Sequence, residues 1–266
     1  MNRIAIRLKE AALMLKAEFV RDLIFMRRYP LEPLSFIFFM YMILIAVLFG
    51  FEQLMQGQST ALNREKMILG YCLMQFVLSA QMGWSGQIQN ESQTGTLEQL
   101  SISGHSLGDV LLARGISQFP RHALSFLALF GAYAFSLSDL HFHLHRLHWL
   151  LLLLFITAFG VFGVAYVFAG VTLIFKRVGF FFQIINFAFL GLFWQDPGRL
   201  EGLTLHFYNI FPLTAGMAAM ESLLIANRIP PIASMLTFSL LFWLAGYIVF
   251  RMLEDRARAQ GLLSQY

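Results

Sequence analysis

Four histidines crowd into eight residues, His141, His143, His145 and His148, in the pattern H-x-H-x-H-x-x-H. Imidazoles at this density are ligands for zinc, copper or nickel. In an extended segment His141, His143 and His145 share one face, whereas His148 need not join them if Arg146 opens a helix. Asp139 is the one carboxylate nearby, so the competing reading is an interfacial loop of amphipathic residues, and no metal site is assigned. A di-iron membrane enzyme needs several such clusters; one is present. The single cysteine, Cys72, falls in an apolar run, reads as a small buried residue and excludes an intrachain disulfide. No G-x-x-x-x-G-K-[ST] phosphate loop occurs, so ATP hydrolysis by that route is not expected of this chain.

The other stretch with chemistry to offer is residues 90–100, NESQTGTLEQL, polar between two long apolar runs. Thr96-Leu97-Glu98-Gln99 matches the S/T-x-x-E/Q capping box, in which Thr96 caps and Gln99 reaches back. Gly95 permits a sharp bend just before it. Ser106-Leu107-Gly108-Asp109 offers a second helix start. The spacing predicts a short amphipathic helix between two bends. Leu97, Leu100 and Ile102 form its apolar knobs, and Glu91 and Glu98 its charges. Such a helix is a docking element; the alternative is a well-capped surface connection with no partner.

The elements that position these residues follow from composition. The 266-residue chain is 58% hydrophobic and 13% charged, about half the charge of a soluble domain. So few charges cannot cover a water-exposed surface, and long apolar runs point to a multi-pass membrane protein. Residues 3–27 project onto a helix with the stripe Ile4, Leu8, Ala12, Leu15, Phe19, Leu23 and Met26. Arg3, Arg7, Glu10, Glu18 and Arg21 lie opposite, the pattern of a helix lying in the membrane interface. Tyr29-Pro30 and Glu32-Pro33 are expected to break it. Six spans follow, near 33–53, 66–86, 116–137, 148–175, 178–195 and 232–252. Gly160, Gly163, Ala165, Ala169 and Gly170 give the fourth a small-residue surface for a close neighbour.

With the N-terminus inside, fourteen of the nineteen Lys and Arg residues fall on inner segments and five on outer ones. That bias puts both termini and NESQTGTLEQL in the cytoplasm. Between Asp196 and Pro231, the helix-forming LTAGMAAMESLLIAN after Phe211-Pro212 is short for a span. It fits an outer re-entrant or interfacial helix, with Glu221 near the outer surface. Arg121 and His122, just after Pro120, are polar residues near or inside the membrane. The phenylalanine-rich fifth span, from Phe180-Phe181-Phe182, reads as packing against lipid.

The run from Glu91 to Leu100, ESQTGTLEQL, resembles the cytoplasmic signature of ABC-2-type ABC transporter permeases. Other shared features are an interface helix carrying the Arg21-Asp22 pair, six spans with both termini inside, and an outer helical excursion over Asn209 to Leu224. The departures are Leu100-Ser101 where the family has Leu-Leu, and Gly104 where many relatives have proline. The resemblance implies an all-α integral membrane fold: an interface helix over residues 1–30 and a six-span region over 31–266, forming one domain. It implies a permease subunit, itself not an enzyme, of an exporter in a prokaryotic inner membrane. Its partners would be a separate ABC ATPase subunit, which binds ATP and magnesium, a second identical or closely related permease protomer, and the lipid bilayer; no nucleic-acid partner is implied. Glu91, Gly95, Thr96, Leu97, Glu98, Gln99 and Leu100 would couple the ATPase to the spans. The substrate class implied is amphipathic: drug-like molecules, lipids or lipid-linked glycans. An ion-coupled transporter or channel is the rival, and it calls for acids in mid-span that this sequence does not supply.

Overall fold

Backbone polar groups in lipid must be satisfied within the segment that carries them, and helices do this. The computed structural model describes residues 3–54, 61–102, 106–136, 144–193 and 200–262, and among these the regular structure is helical, with no strand. In chain order the helices are α1 (Arg3–Arg28), α2 (Leu31–Leu54), α3 (Ala61–Gln93), α4 (Thr96–Ile102) and α5 (Leu107–Ser136). After a 3-10 turn at Leu144–Arg146 come α6 (Leu147–Phe175), α7 (Gly179–Phe193), α8 (Gly202–Ile210), α9 (Pro212–Leu224) and α10 (Ile232–Ala259).

Among the described residues four helices are long and apolar enough to cross a membrane: α2 over Leu31–Gly50, α3 over Arg64–Gln93, α6 and α10. Two of the six expected spans fall on helices of different character. α5 has the length, but Asp109, Arg114 and Arg121 occupy its first half. α7 is apolar but only 15 residues long. The break expected at Glu32-Pro33 does not occur there. α1 stops at Arg28, and Pro33 lies in the first turn of α2. A first-turn residue has no intrahelical N–H bond to lose, so proline is tolerated.

α6 is the centre of the bundle, with Leu150, Leu153, Val161, Ala165, Tyr166 and Ala169 fully buried. α3 lies beside it, with Ile68, Leu69, Leu73 and Val77 fully buried. Trp84 of α3 stacks on Phe162 at 5.0 Å and meets Tyr166 edge-on at 4.7 Å, so this tryptophan is core packing. The small-residue surface of α6 receives α10. A Cβ on Gly163 would collide with the Phe242 carbonyl, and one on Gly246 with the Gly163 carbonyl. Backbone thus meets backbone, the close approach that small residues allow. Further along, Gly170 faces Leu253.

α9 packs on α6 and α3, with Leu213, Met217, Met220 and Leu223 buried and Met217 against Gly70 of α3. Its Glu221 forms a 2.6 Å ion pair with Lys66 near the start of α3. Gly108 of α5 faces Tyr247 and Phe250 of α10, placing the start of α5 beside the last turns of α10. The described contacts therefore sort the bundle into two ends. One holds Lys66 and Glu221; the other holds Glu91, Arg114 and the C-terminal half of α10.

α1 corrects one expectation from the sequence. Glu18, placed opposite the apolar stripe by the helical projection, docks on the protein together with Asp22, while Glu10 stays exposed. The side chains of Glu18 and Asp22 are each 12% exposed, facing α5. Leu13, Phe19, Val20, Leu23 and Ile24 remain exposed. An apolar face left exposed in this way suits a helix lying in the membrane interface.

Candidate functional site

The polar stretch NESQTGTLEQL is mostly helix. α3 runs through Asn90 and Glu91 to Gln93, well past the apolar part of the span. The Thr94 hydroxyl donates to the Asn90 carbonyl at 2.9 Å, which seals the helix end. Gly95 then turns the chain with φ of +72°, a conformation glycine adopts without a Cβ penalty. The short helix expected next is present as α4. Its first residue is used differently from the capping box. The Thr96 hydroxyl lies 3.0 Å from that of Thr94 and 3.4 Å from the Glu91 carbonyl, so it closes the preceding turn rather than reaching forward to Gln99. The second expected start holds, since the Asp109 N–H donates to the Ser106 hydroxyl at 3.1 Å. Leu97 is buried, Leu100 packs at the edge of the core, and Glu98, Gln99 and Ile102 are exposed.

Above this turn sits a buried arginine. Arg114 of α5 exposes only 5% of its side chain. Its Nε donates to Glu18 Oε1 at 3.0 Å, and its Nη1 lies 2.5 Å from Glu91 Oε1. Arg21 pairs with the other Glu18 oxygen at 2.8 Å. A guanidinium presents several fixed donors, so one side chain can hold carboxylates from two helices at once. Two turns along α5, Arg121 Nε meets Asp22 Oδ1 at 3.3 Å. Despite this partner, burial pushes the Asp22 carboxyl above its usual range, with Arg121 pulling the other way.

Other bonds stiffen the same end. Gln87 of α3 donates to Gln118 of α5 at 3.3 Å. The Tyr166 hydroxyl of α6 donates to the Gly108 carbonyl at 2.7 Å. Glu91 therefore shares a buried cation with α1, while α4 follows from the same turn.

Of the residues singled out from sequence, the structure gathers Glu91, Gly95, Thr96, Leu97, Arg21, Asp22 and Arg121 at this end. Glu18 was assigned to the wrong face, and Arg114 was counted only as an inner charge. Its signal was present: Leu107, Leu111, Arg114 and Gln118 fall on one helical face, and a charge in a buried stripe demands a partner. The histidine cluster divides. His145 and His148 are exposed at the start of α6, while His141 and His143 lie outside the described residues. Among the described residues no group of three His, Cys, Asp or Glu side chains is placed to hold a metal.

Comparison with protein-family models, with curated proteins and with solved structures finds no match. The functional reading therefore rests on this geometry and on the signature it contains.

Proposed function

We propose that the chain is the membrane-spanning permease subunit of an ATP-driven exporter of the ABC-2 type. In this reading α5 and α7 complete a six-span unit with both termini in the cytoplasm, and α8 and α9 form the outer helical excursion. The unit works in the inner membrane of a prokaryote, paired with a second protomer and carried on separate ATPase subunits. The substrate is amphipathic: a drug-like molecule, a lipid or a lipid-linked glycan.

The observation that supports this reading best is the Glu18–Arg114–Glu91 triad. A surface connection with no partner has no need of a buried arginine tying its first residue to two other helices. A lever does. An ATPase that pushes on α4 through Glu98 and Gln99 displaces Glu91, and the shared guanidinium carries that displacement into α5 and α1. Coupling of this kind is a difference in contact free energy between two states of the complex.

The test is recovery of the full-length chain from its native membrane in mild detergent, with mass spectrometry of what accompanies it. A stoichiometric ATPase subunit is the expected result, and its reproducible absence from an intact complex would sink the proposal. Within that complex, Glu98→Ala is expected to leave insertion and folding intact while reducing substrate-stimulated ATP hydrolysis several-fold. Unchanged hydrolysis together with unchanged partner affinity would remove α4 from the coupling role.

A further inference from the structure

A second polar feature lies at the elbow where α1 gives way to α2, outside the triad. Phe25 and Met26 from the end of α1, Glu32 from the start of α2, and Arg121 and His122 of α5 surround a cavity of about 240 Å³. Ser79 of α3 and Ser125 of α5 add hydroxyls, and Phe36 closes an apolar side. Deeper in, Phe36, Ser79, His122 and Ser125 also border a void of about 20 Å³, room for about one water. A ligand in the larger cavity cannot extend inward. Any long tail must leave outward, past Phe25 and Phe36, which line the cavity and are themselves exposed, toward the exposed Phe39 of α2.

The charges around the cavity select the head that fits. Arg121 spends its Nε on Asp22 and still lines the space, so it presents positive charge to a ligand. Glu32 supplies a carboxylate at the opposite chain segment. A purely anionic head would face Glu32 and Asp22 together, and a purely cationic one would face Arg121. A head with both signs satisfies both. Primary ammonium hydrogens can also reach carboxylate and serine oxygens, whereas a trimethylammonium has no N–H to offer and leaves those acceptors unpaired.

We propose that this elbow cavity binds the head of an ethanolamine phospholipid, with its phosphodiester toward Arg121, its ammonium toward Glu32, and its acyl chains along the exposed face of α2. The bound lipid fastens the α1–α2 elbow to α5. The proposal does not depend on an ATPase partner and stands or falls separately from the exporter reading.

The test uses the purified full-length protein in detergent, mixed with equimolar ethanolamine, choline and glycerol phospholipids of identical acyl chains, and native mass spectrometry of the retained lipid. The ethanolamine lipid is expected to be retained about tenfold over the other two, the discrimination that one good charge-assisted hydrogen bond supplies. Glu32→Gln, an exposed and conservative change, is expected to abolish the preference. Ser125→Phe, which places a ring in the cavity, is expected to reduce ethanolamine-lipid retention to the level of the detergent background. Equal retention of all three lipids by the unmodified protein would overturn the proposal, as would a preference that survives Glu32→Gln. Displacement of the lipid by an equal concentration of water-soluble glycerophosphoethanolamine would also overturn it, because the acyl chains would then contribute nothing. Should Ser125→Phe fail to fold, the Glu32→Gln comparison alone decides.

Discussion

A guanidinium held out of water is tolerable only while its carboxylates stay beside it, and Arg114 has two of them from helices distant in sequence. Removing one partner of such a set leaves uncompensated buried charge. Arg114→Gln is therefore expected to lower stability by about 3 kcal/mol, read as a fall in the thermal midpoint of the purified protein. Replacing the triad together, with Glu18→Gln, Arg114→Met and Glu91→Gln, is expected to recover most of that loss, because no orphaned charge remains. The same triple variant should still lose the coupling between α4 and α1, which separates the structural role from the transmitting one. Asp22 supplies a pH test. Burial raises its carboxyl above the usual value, so the folded state binds its proton more readily than the unfolded chain does. Its contribution is thus most favourable below the usual carboxylate range and is lost as pH rises through the raised value. The difference in melting temperature between the native protein and Asp22→Asn should change across that window and be flat well above it. A difference independent of pH would show that the Asp22 carboxyl titrates alike in the folded and unfolded protein, with Arg121 cancelling the effect of burial.

At the level of elements, the decisive contact is α6 against α10. The two backbones meet at Gly163 and Gly246, where even a methyl group would overlap a main-chain carbonyl. A carbonyl cannot swing aside as the end of a side chain can, so the helices themselves must part. Gly163→Leu is expected to cost about 3 kcal/mol or more, at the top of the range for overpacking. Gly131 of α5 is the matched control, since a Cβ there meets nothing within 4 Å. Gly131→Ala should be neutral or stabilising by up to about 1 kcal/mol, from better helix propensity alone. Chemical denaturation of the two variants in one detergent makes the comparison. At α4 the constraint is conformational instead. Gly95 makes the turn, and Gly95→Val imposes a Cβ on a left-handed backbone, which costs on the order of 1–3 kcal/mol locally. That strain should appear as faster hydrogen exchange over α4 with α6 and α10 unchanged.

For the whole molecule, the exposed surfaces of α2 and α10 are wide and greasy. Only 11% of the apolar window of α2 and 17% of that of α10 is buried within the chain. Lipid covers such faces in a bilayer, and a second protomer covers part of them in the proposed exporter. The Glu98→Ala experiment belongs at this scale, because coupling is a property of the assembled complex and not of α4. Loss of stimulated hydrolysis with intact partner binding would place the defect in transmission. Loss of partner binding would place it in docking.

Much of this architecture was legible in the residues, because its causes are local. Apolar length dictates spanning helices, Ser106 caps the helix it precedes, and Gly95 marks a turn only glycine makes easily. The small-residue surface of α6 announced a close neighbour without saying which helix it would be. The docked face of α1 could not be read from a helical projection, because both of its faces have a use when lipid lies on one side and protein on the other. Glu18 and Arg114 are 96 residues apart, and no local pattern records a pairing at that separation. The elbow cavity is likewise made of residues from four helices. The sequence by itself determined that the chain is helical, membrane-bound and equipped with a short polar helix after a glycine turn. Only the tertiary structure decided which charges hold that helix to the bundle, since buried ions choose their partners in space.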